Sequence, residues 1–384
     1  MSKSSGLGLF KNLDKIEDFR QPGKVIHQLS DILILSIAAT VSGAESWEEI
    51  ADFGRNKLDW LKQFSRFDAG VPSPDTIARV MQRIDPVQFR IFFASWMKRC
   101  HRLTRGEVVA IDGKTLRRSF DKGDHNTAIH MISAFATANG VVLGQVKTDE
   151  KSNEITAIPE LLNLLNIKGC LVTLDAMGCQ KKIAQAILDK KADYLFQVKG
   201  NHQSLLRAFQ AEYNFKTLQD ETSRTVHTDD ENHDRIETRH YHVVPIENNE
   251  SFASFIDEWP GIKTLCIEFT TRRGKHESAV DEITVRYFIS SAQLSAARFA
   301  KASRKHWHIE NKLHWVLDVA MNEDDCRIRA GHSAEIIASI RHIALNLLRG
   351  SSFKGGIRRK QRQAHIDDDY RSEVLLRAGL GEES

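Results

Sequence analysis

The sequence predicts an α/β protein with an all-helical N-terminal part and a β-rich segment set into its second half. Three observations carry this reading. Up to residue 104, apolar residues recur at helical spacing behind N-cap signatures. From Glu107 onward, short β-branched runs alternate with amphipathic helical stretches. Between residues 218 and 290 the pattern turns to charged, alternating strands.

The helical part comes first. His27 to Val41 is an apolar run opened by Ser30-Asp31. Ser46, with Glu49 three residues on, is a capping box ahead of Trp47, Ile50, Phe53 and Leu58. Ser73 reads as an N-cap and Pro74 as the first position of a helix through Ile84. Asp85-Pro86 starts another, PVQFRIFFASWMKRC.

EVVAIDGKTLRRS reads as a strand, and IHMISAFATANG with VVLGQVKT as a hairpin turning at Asn139-Gly140. EITAIPELLNLL is helical, CLVTLDA a buried strand, KKIAQAILDKKA a helix and DYLFQVKG a strand, with a further helix over residues 203–215. A hairpin sheet continued through crossover helices is expected to become parallel. TSRTVHTDD, RIETRHYHVV, IKTLCIEFTTRR and EITVRYFISS read as antiparallel strands. One long helix is expected over residues 296–321 and another over 333–348, and KGGIRRKQRQ reads as a mobile basic end.

A chain of 384 residues exceeds one typical domain. The expected divisions are 1–104, all-helical; 105–350, α/β with 218–290 inserted as a β-rich segment; and 351–384, a basic tail. The net charge of +3 makes no global case for nucleic acid, so local charge must. Five scattered cysteines without a C-x-x-C pair exclude a disulfide framework and a zinc ribbon. MSKSSGLGLFKNLDK lacks the apolar core of a signal peptide, and Ile32 to Val41 is too short to span a bilayer. A cytoplasmic protein without a membrane partner is expected.

Two carboxylates stand out. Asp112 lies inside VVAIDGK and Asp175 at the end of LVTLDA, where a charge is costly unless neutralised. A lone aspartate there usually bonds a turn. Two on sheet elements that lie side by side would converge, repel, and need a proton or a metal between them. Oxygen donors of this kind suit magnesium or manganese. Glu310 lies in SRKHWHIENKLHWVLDVAMNEDD, at the edge of the stripe Ile309, Leu313, Val316, Ala320, with His306 and His314 four residues to either side. By itself that helix reads as a packing helix.

IDGKTLRRS, LVTLDAMGCQKKIA, ADYLFQVKGN, HWHIENKLHWVLDVAMNED and PSPDTIARVMQRIDP together resemble the H-repeat-associated transposases, a family of DDE-type insertion-sequence transposases. The resemblance runs through nearly the whole chain. It implies a ribonuclease-H-like core whose catalytic and metal-holding acids are Asp112, Asp175 and Glu310, spaced 63 and 135 residues apart. It implies two Mg2+ (or Mn2+) ions about 3.5–4 Å apart for in-line displacement at phosphorus. The implied substrate is double-stranded DNA, both element ends and target, bound by a homodimer or larger assembly. The Tyr, Arg and Lys that many such enzymes carry around the third acid are replaced by Ser303, His306 and Leu317.

Lys114, Arg117, Arg118, Lys199 and His306 are the expected DNA contacts, and Asn201, which follows the same strand as Lys199, is expected near the site. Residues 46–83 fit a helix-turn-helix with Arg79 and Arg83 facing DNA. Lys354, Arg358, Arg359, Lys360 and Arg362 are either a DNA-tracking cluster or a solvated tail. Other readings stay open: a transposon-derived DNA-binding protein that no longer transposes, a restriction-type nuclease using Asp112-Gly113-Lys114, and a zinc enzyme built on His240 and His242 or on His306, Glu310 and His314.

Overall fold

The computed structural model describes residues 7–10, 12–13, 16–101, 103–119, 128–148, 154–213, 225–232, 235–274 and 282–376. Up to residue 101 these form helices and connecting turns, chiefly α1 (Leu29–Val41), α2 (Trp47–Asn56), α3 (Pro74–Met81) and α4 (Pro86–Cys100). The cap signatures hold at atomic level. Ser46 Oγ accepts from Glu49 N at 3.2 Å, Ser73 Oγ from Thr76 N at 3.3 Å, and Asp85 Oδ1 from Val87 N at 2.8 Å. Each such cap is worth about 1 kcal/mol. The Glu49 carboxylate reaches back to Glu45 N rather than to Ser46 N. α1 is buried on nearly every side, as its unbroken apolar run requires.

Nine strands form one sheet in the order β3-β2-β1-β4-β5-β9-β8-β7-β6. β1 (Val108–Thr115), β2 (His130–Ala136) and β3 (Val141–Thr148) make an antiparallel meander. The turn between β2 and β3 uses Gly140 at φ +69°, a backbone state open to glycine. β4 (Leu171–Leu174) pairs parallel with β1, and β5 (Asp193–Val198) parallel with β4. The crossovers are α5 (Glu154–Leu164) and α6 (Lys181–Asp189), and α7 (Gln203–Glu212) follows β5.

β6 (Thr225–Asn232), β7 (Arg235–Pro245), β8 (Thr264–Gly274) and β9 (Glu282–Ser290) are antiparallel to one another, as their alternation predicts. β9 also pairs antiparallel with β5, so this segment prolongs the same sheet instead of standing apart from it.

Helices cover both sheet faces. α5, α6 and α7 bury Val109, Ile111, Val172 and Phe196 on one side. The other side carries α8 (Ala296–His306), α9 (Trp315–Met321) and α10 (Ser333–Arg349). α8 packs across β1, β4 and β7. α10 is almost wholly buried and shares one apolar core with α1 to α4. Asn346 of α10 ties this layer to the sheet's outer strand by bonding both N and O of Val142.

Two expectations change. The single helix over 296–321 is broken: Ile309–His314 is a π-helical turn between α8 and α9, in which Trp315 N–H bonds Glu310 O five residues back. The expected basic tail instead contains α11 (Ile357–Ile366) and α12 (Asp368–Leu376). Ala364, Val374 and Leu375 are buried, Lys360 Nζ bonds Leu348 O at 2.8 Å, and the Arg371 guanidinium sits 4.0 Å from the Trp60 ring centroid. Among the described residues no helix is long and apolar enough to cross a membrane.

Candidate active site

Strand alternation decides which side chains meet. Val108, Ala110, Asp112 and Lys114 share one face of β1, while Val109 and Ile111 enter the opposite core. Ile111 lies opposite Leu174 in the parallel β1–β4 pair, so the next residues, Asp112 and Asp175, sit side by side at the C-terminal strand ends. The same face receives Thr173 from β4, Gln197 from β5, and Arg286 and Phe288 from β9. The α8–π segment crosses above it and adds Ser303, His306, Trp307, Ile309 and Glu310. All of these, with Lys199, line one cavity of about 330 Å³. The three acids singled out by sequence therefore open into a single space.

Each acid is held differently. Asp175 Oδ1 accepts from Met177 N at 3.0 Å and Gly178 N at 3.2 Å, which fixes its carboxylate at the turn. That turn is braced by Asn201 Nδ2 on Ala176 O at 2.7 Å and by His202 Nε2 against Cys179 O at 2.6 Å. Asn201 thus acts as a brace for the Asp175 loop.

Asp112 has Gly113 behind it. A Cβ there would run into His130 Nε2 and lie 2.7 Å from Glu154 Oε1, which are themselves bonded at 2.7 Å. Only glycine lets this buried pair pass under the strand. Glu310 and His314 lie together in the π-turn, with His314 Nδ1 3.1 Å from Glu310 Oε2 and 3.7 Å from Asp112 Oδ2. The ligand atoms of Asp112, Glu310 and His314 all fall within 4.8 Å of one another, and Asp175 is outside this tight group.

The electrostatics follow. Burial pushes the Asp112 carboxyl up to about 6, with Asp175 and Glu310 adding repulsion and His314 opposing it. The hydrogen bond from His314 holds Glu310 below the usual carboxylate range, against a smaller effect of burial. Burial pushes His306 down to about 4, and its Nδ1 pairs with Thr173 Oγ1 at 3.0 Å. His306 is therefore a neutral ring in the cavity wall and offers a phosphate no charge at physiological pH.

The basic residues after Asp112 have other partners. Lys114 does share Asp112's face, but its ammonium bonds Asp318 and, at 2.8 Å, the buried Glu323, with Asp324 at 3.6 Å. Arg117 pairs with Asp324 at 3.2 Å and Arg118 with Asp325 at 3.1 Å. These three expected phosphate contacts are thus bound up with Asp318 of α9 and the acidic loop that follows it. Lys199 does line the cavity.

Ser303 and Leu317, which stand where the resemblance leads one to expect Tyr and Lys, are both buried, Ser303 donating to Glu268. Sequence reasoning missed Arg286, which bonds Glu268 at 3.1 Å, stacks 5.4 Å from the Trp307 ring centroid and lines the cavity. Nothing in its strand's alternation marked it.

Carboxylates converging at the C-terminal ends of parallel strands suit divalent cations and chemistry at phosphorus. Comparison with known proteins makes the class specific. Residues 103–347 match the family described as Transposase DDE domain, and residues 10–97 match the family described as DDE_Tnp_1-associated. The chain is 51% identical over 368 residues to "Putative transposase YncI" of Escherichia coli O157:H7, covering 96% of this chain and 94% of that one. It is 50% identical over 374 residues to "H repeat-associated putative transposase YhhI" of Escherichia coli strain K12, covering 97% and 98%. A piggyBac transposase synaptic complex with hairpin DNA aligns over 97% of this chain and 81% of that one, at 11% identity and a TM-score of 0.44, too remote to add to the argument.

The chain belongs to the DDE transposase family. It is an insertion-sequence transposase, an enzyme that cuts DNA and transfers strands. Its crevice fits the divalent ions this family uses. Two of the three clustered donors are hard carboxylate oxygens, from Asp112 and Glu310, and burial raises the Asp112 carboxyl, so a positive charge beside it is favourable.

Proposed function

We propose that Asp112, Asp175 and Glu310 are the catalytic acids of this transposase and that they hold Mg2+ or Mn2+, with two ions expected. The observation that carries this reading is the shared cavity, reached from two adjacent strand ends and from the helix crossing above them. The order β3-β2-β1-β4-β5, antiparallel and then parallel, supports a ribonuclease-H-like core, with 218–290 as an insertion that extends its sheet. Within that division, residues 105–350 are the catalytic domain and residues 1–104 a DNA-binding or accessory domain.

Divalent ions bound there supply Lewis acidity and charge neutralisation at the scissile phosphate. The protein's own residues aim and steady the acids. Gly113 lets β1 pass over the His130–Glu154 pair, the Asn201 and His202 bonds set the Asp175 turn, and the π-turn sets Glu310. Lys199 and Arg286 offer positive charge to the DNA backbone in the same cavity. The substrate is double-stranded DNA, first at the element ends and then at the target, and bringing two ends together requires at least a dimer on DNA.

The test uses labelled duplexes carrying element ends, with Mg2+ or Mn2+ and the variants Asp112→Asn, Asp175→Asn and Glu310→Gln. Each variant is expected to bind DNA and to lose both nicking and strand joining. Nicking and joining at the parent rate by any one of them overturns its assignment.

A further inference from the structure

We propose that His314 is a direct ligand of the metal centre, placing one nitrogen donor beside the carboxylates of Asp112 and Glu310 and biasing the site toward Mn2+ over Mg2+. This rests on the reading that the ions sit among the acids, and it goes beyond a site made of carboxylates alone.

The geometry is the first argument. His314 is 4% exposed, and its Nδ1 lies 3.1 Å from Glu310 Oε2 and 3.7 Å from Asp112 Oδ2, two carboxylates that line the cavity. Two ligands at right angles around an octahedral ion, with bonds of about 2.1 Å, stand roughly 3 Å apart, and opposite ligands roughly 4.2 Å apart. The distances around His314 fall in that range, and the ligand atoms of the whole group lie within 4.8 Å of one another.

Hydrogen bonding is the second argument. His314 Nε2 is enclosed and has no partner. Nε2 is unpartnered whichever nitrogen carries the proton, so the tautomers differ at Nδ1, which donates to Glu310 when it is protonated. If the proton is on Nε2, the Nδ1 lone pair faces two carboxylates, an arrangement that repels unless a cation lies between them. A metal ion at Nδ1 makes the second tautomer favourable. The neighbouring His342 is fully buried and its Nδ1 is likewise unpartnered.

The local backbone is the third argument. A π-turn is uncommon and often marks a functional position. Here it spans Ile309–His314: Ile309 and Glu310 line the cavity, Leu313 is buried in the core, and His314 is buried with its Nδ1 beside Glu310. Imidazole suits transition metals, whereas Mg2+ prefers oxygen, so a nitrogen donor shifts preference toward Mn2+.

The experiment is pulsed electron paramagnetic resonance on the full chain loaded with Mn2+, together with Mn2+ and Mg2+ binding titrations. The parent protein is expected to show nitrogen modulation of the Mn2+ signal that changes when its histidines are isotope-labelled, a readout that needs no substitution. His314→Asn is expected to lose that modulation and to bind Mn2+ about 10-fold more weakly, with a smaller change for Mg2+. A parent signal without nitrogen modulation, with binding abolished by Asp112→Asn, overturns the role of His314 and leaves the acids as the metal site. Modulation that survives in His314→Asn assigns the nitrogen elsewhere and also overturns it. Tight Mn2+ binding by Asp112→Asn defeats the acid site itself.

Discussion

Replacing Asp112 by asparagine is expected to stabilise the metal-free protein at neutral pH while abolishing DNA cleavage. The carboxyl is raised from its ordinary 3.8 to about 6, chiefly by burial. Each unit corresponds to about 1.4 kcal/mol, so the ionised form costs the fold on the order of 3 kcal/mol. The side chain is 29% exposed, and solvent screening brings the expected gain to about 1–3 kcal/mol. The sign follows from proton binding. Below pH 3.8 the group is protonated in both states and contributes no difference. As pH rises toward 6 the unfolded chain releases its proton first, and stability falls. The advantage of Asp112→Asn is therefore small near pH 4 and reaches its plateau above about pH 6. Thermal or urea unfolding across that range, in chelator, measures it. Divalent metal at about 100 times its Kd should return about 2.7 kcal/mol to the parent and nothing to the variant. A variant less stable than the parent at pH 7.5 in chelator, or a difference that does not vary with pH, would refute the account of a charge-frustrated site.

Three further outcomes are expected. Lys114→Met strands the buried Glu323 carboxylate and should cost about 3 kcal/mol in urea unfolding; a change below about 0.5 kcal/mol would mean the pair is not structural. Gly113→Ala forces apart the His130–Glu154 pair beneath Asp112 and should cost about 1–3 kcal/mol in thermal unfolding, with weaker Mn2+ binding; parent-like values in both would show that the strand yields freely. Lys199→Ala should leave the melting temperature unchanged and lower the slope of log DNA affinity against log salt by about 0.9; an unaltered slope removes Lys199 from the DNA path.

The two aspartates were legible because their signals are local. Period-2 alternation fixes their face, and the crossover predicts that β1 and β4 are neighbours, so adjacency in space follows from order in the chain. Glu310 was legible through motif resemblance alone, since a stripe of Ile309 and Leu313 looks the same in any packing helix. The π-turn that sets it was not legible, because IENKLH has no residue that forbids an ordinary α-helical turn. Lys114, Arg117 and Arg118 lay on the expected strand, yet their acidic partners come from about two hundred residues later in the chain. Arg286 and Arg371 depend wholly on tertiary context: one is steered by Glu268 and Trp307, the other is enclosed by Phe53 and Trp60. A buried arginine runs against composition, so the C-terminal helices read as a solvated end.

The β5–β9 seam governs how the nascent chain matures. Leu195 waits for Ser290 and Val198 for Tyr287. At ribosomal rates of roughly 5–20 residues per second, that leaves an open apolar strand border for about 5–20 s. Tyr194, Leu195 and Phe196 are the side chains at risk, and an unpaired border of this kind invites pairing with another chain. Under the proposed assignment of Glu310, the chain gains its third acid only after the seam can close, since Glu310 follows Ser290 in the chain. Closure of this sheet therefore ends the period of greatest aggregation hazard just before the proposed site can be completed.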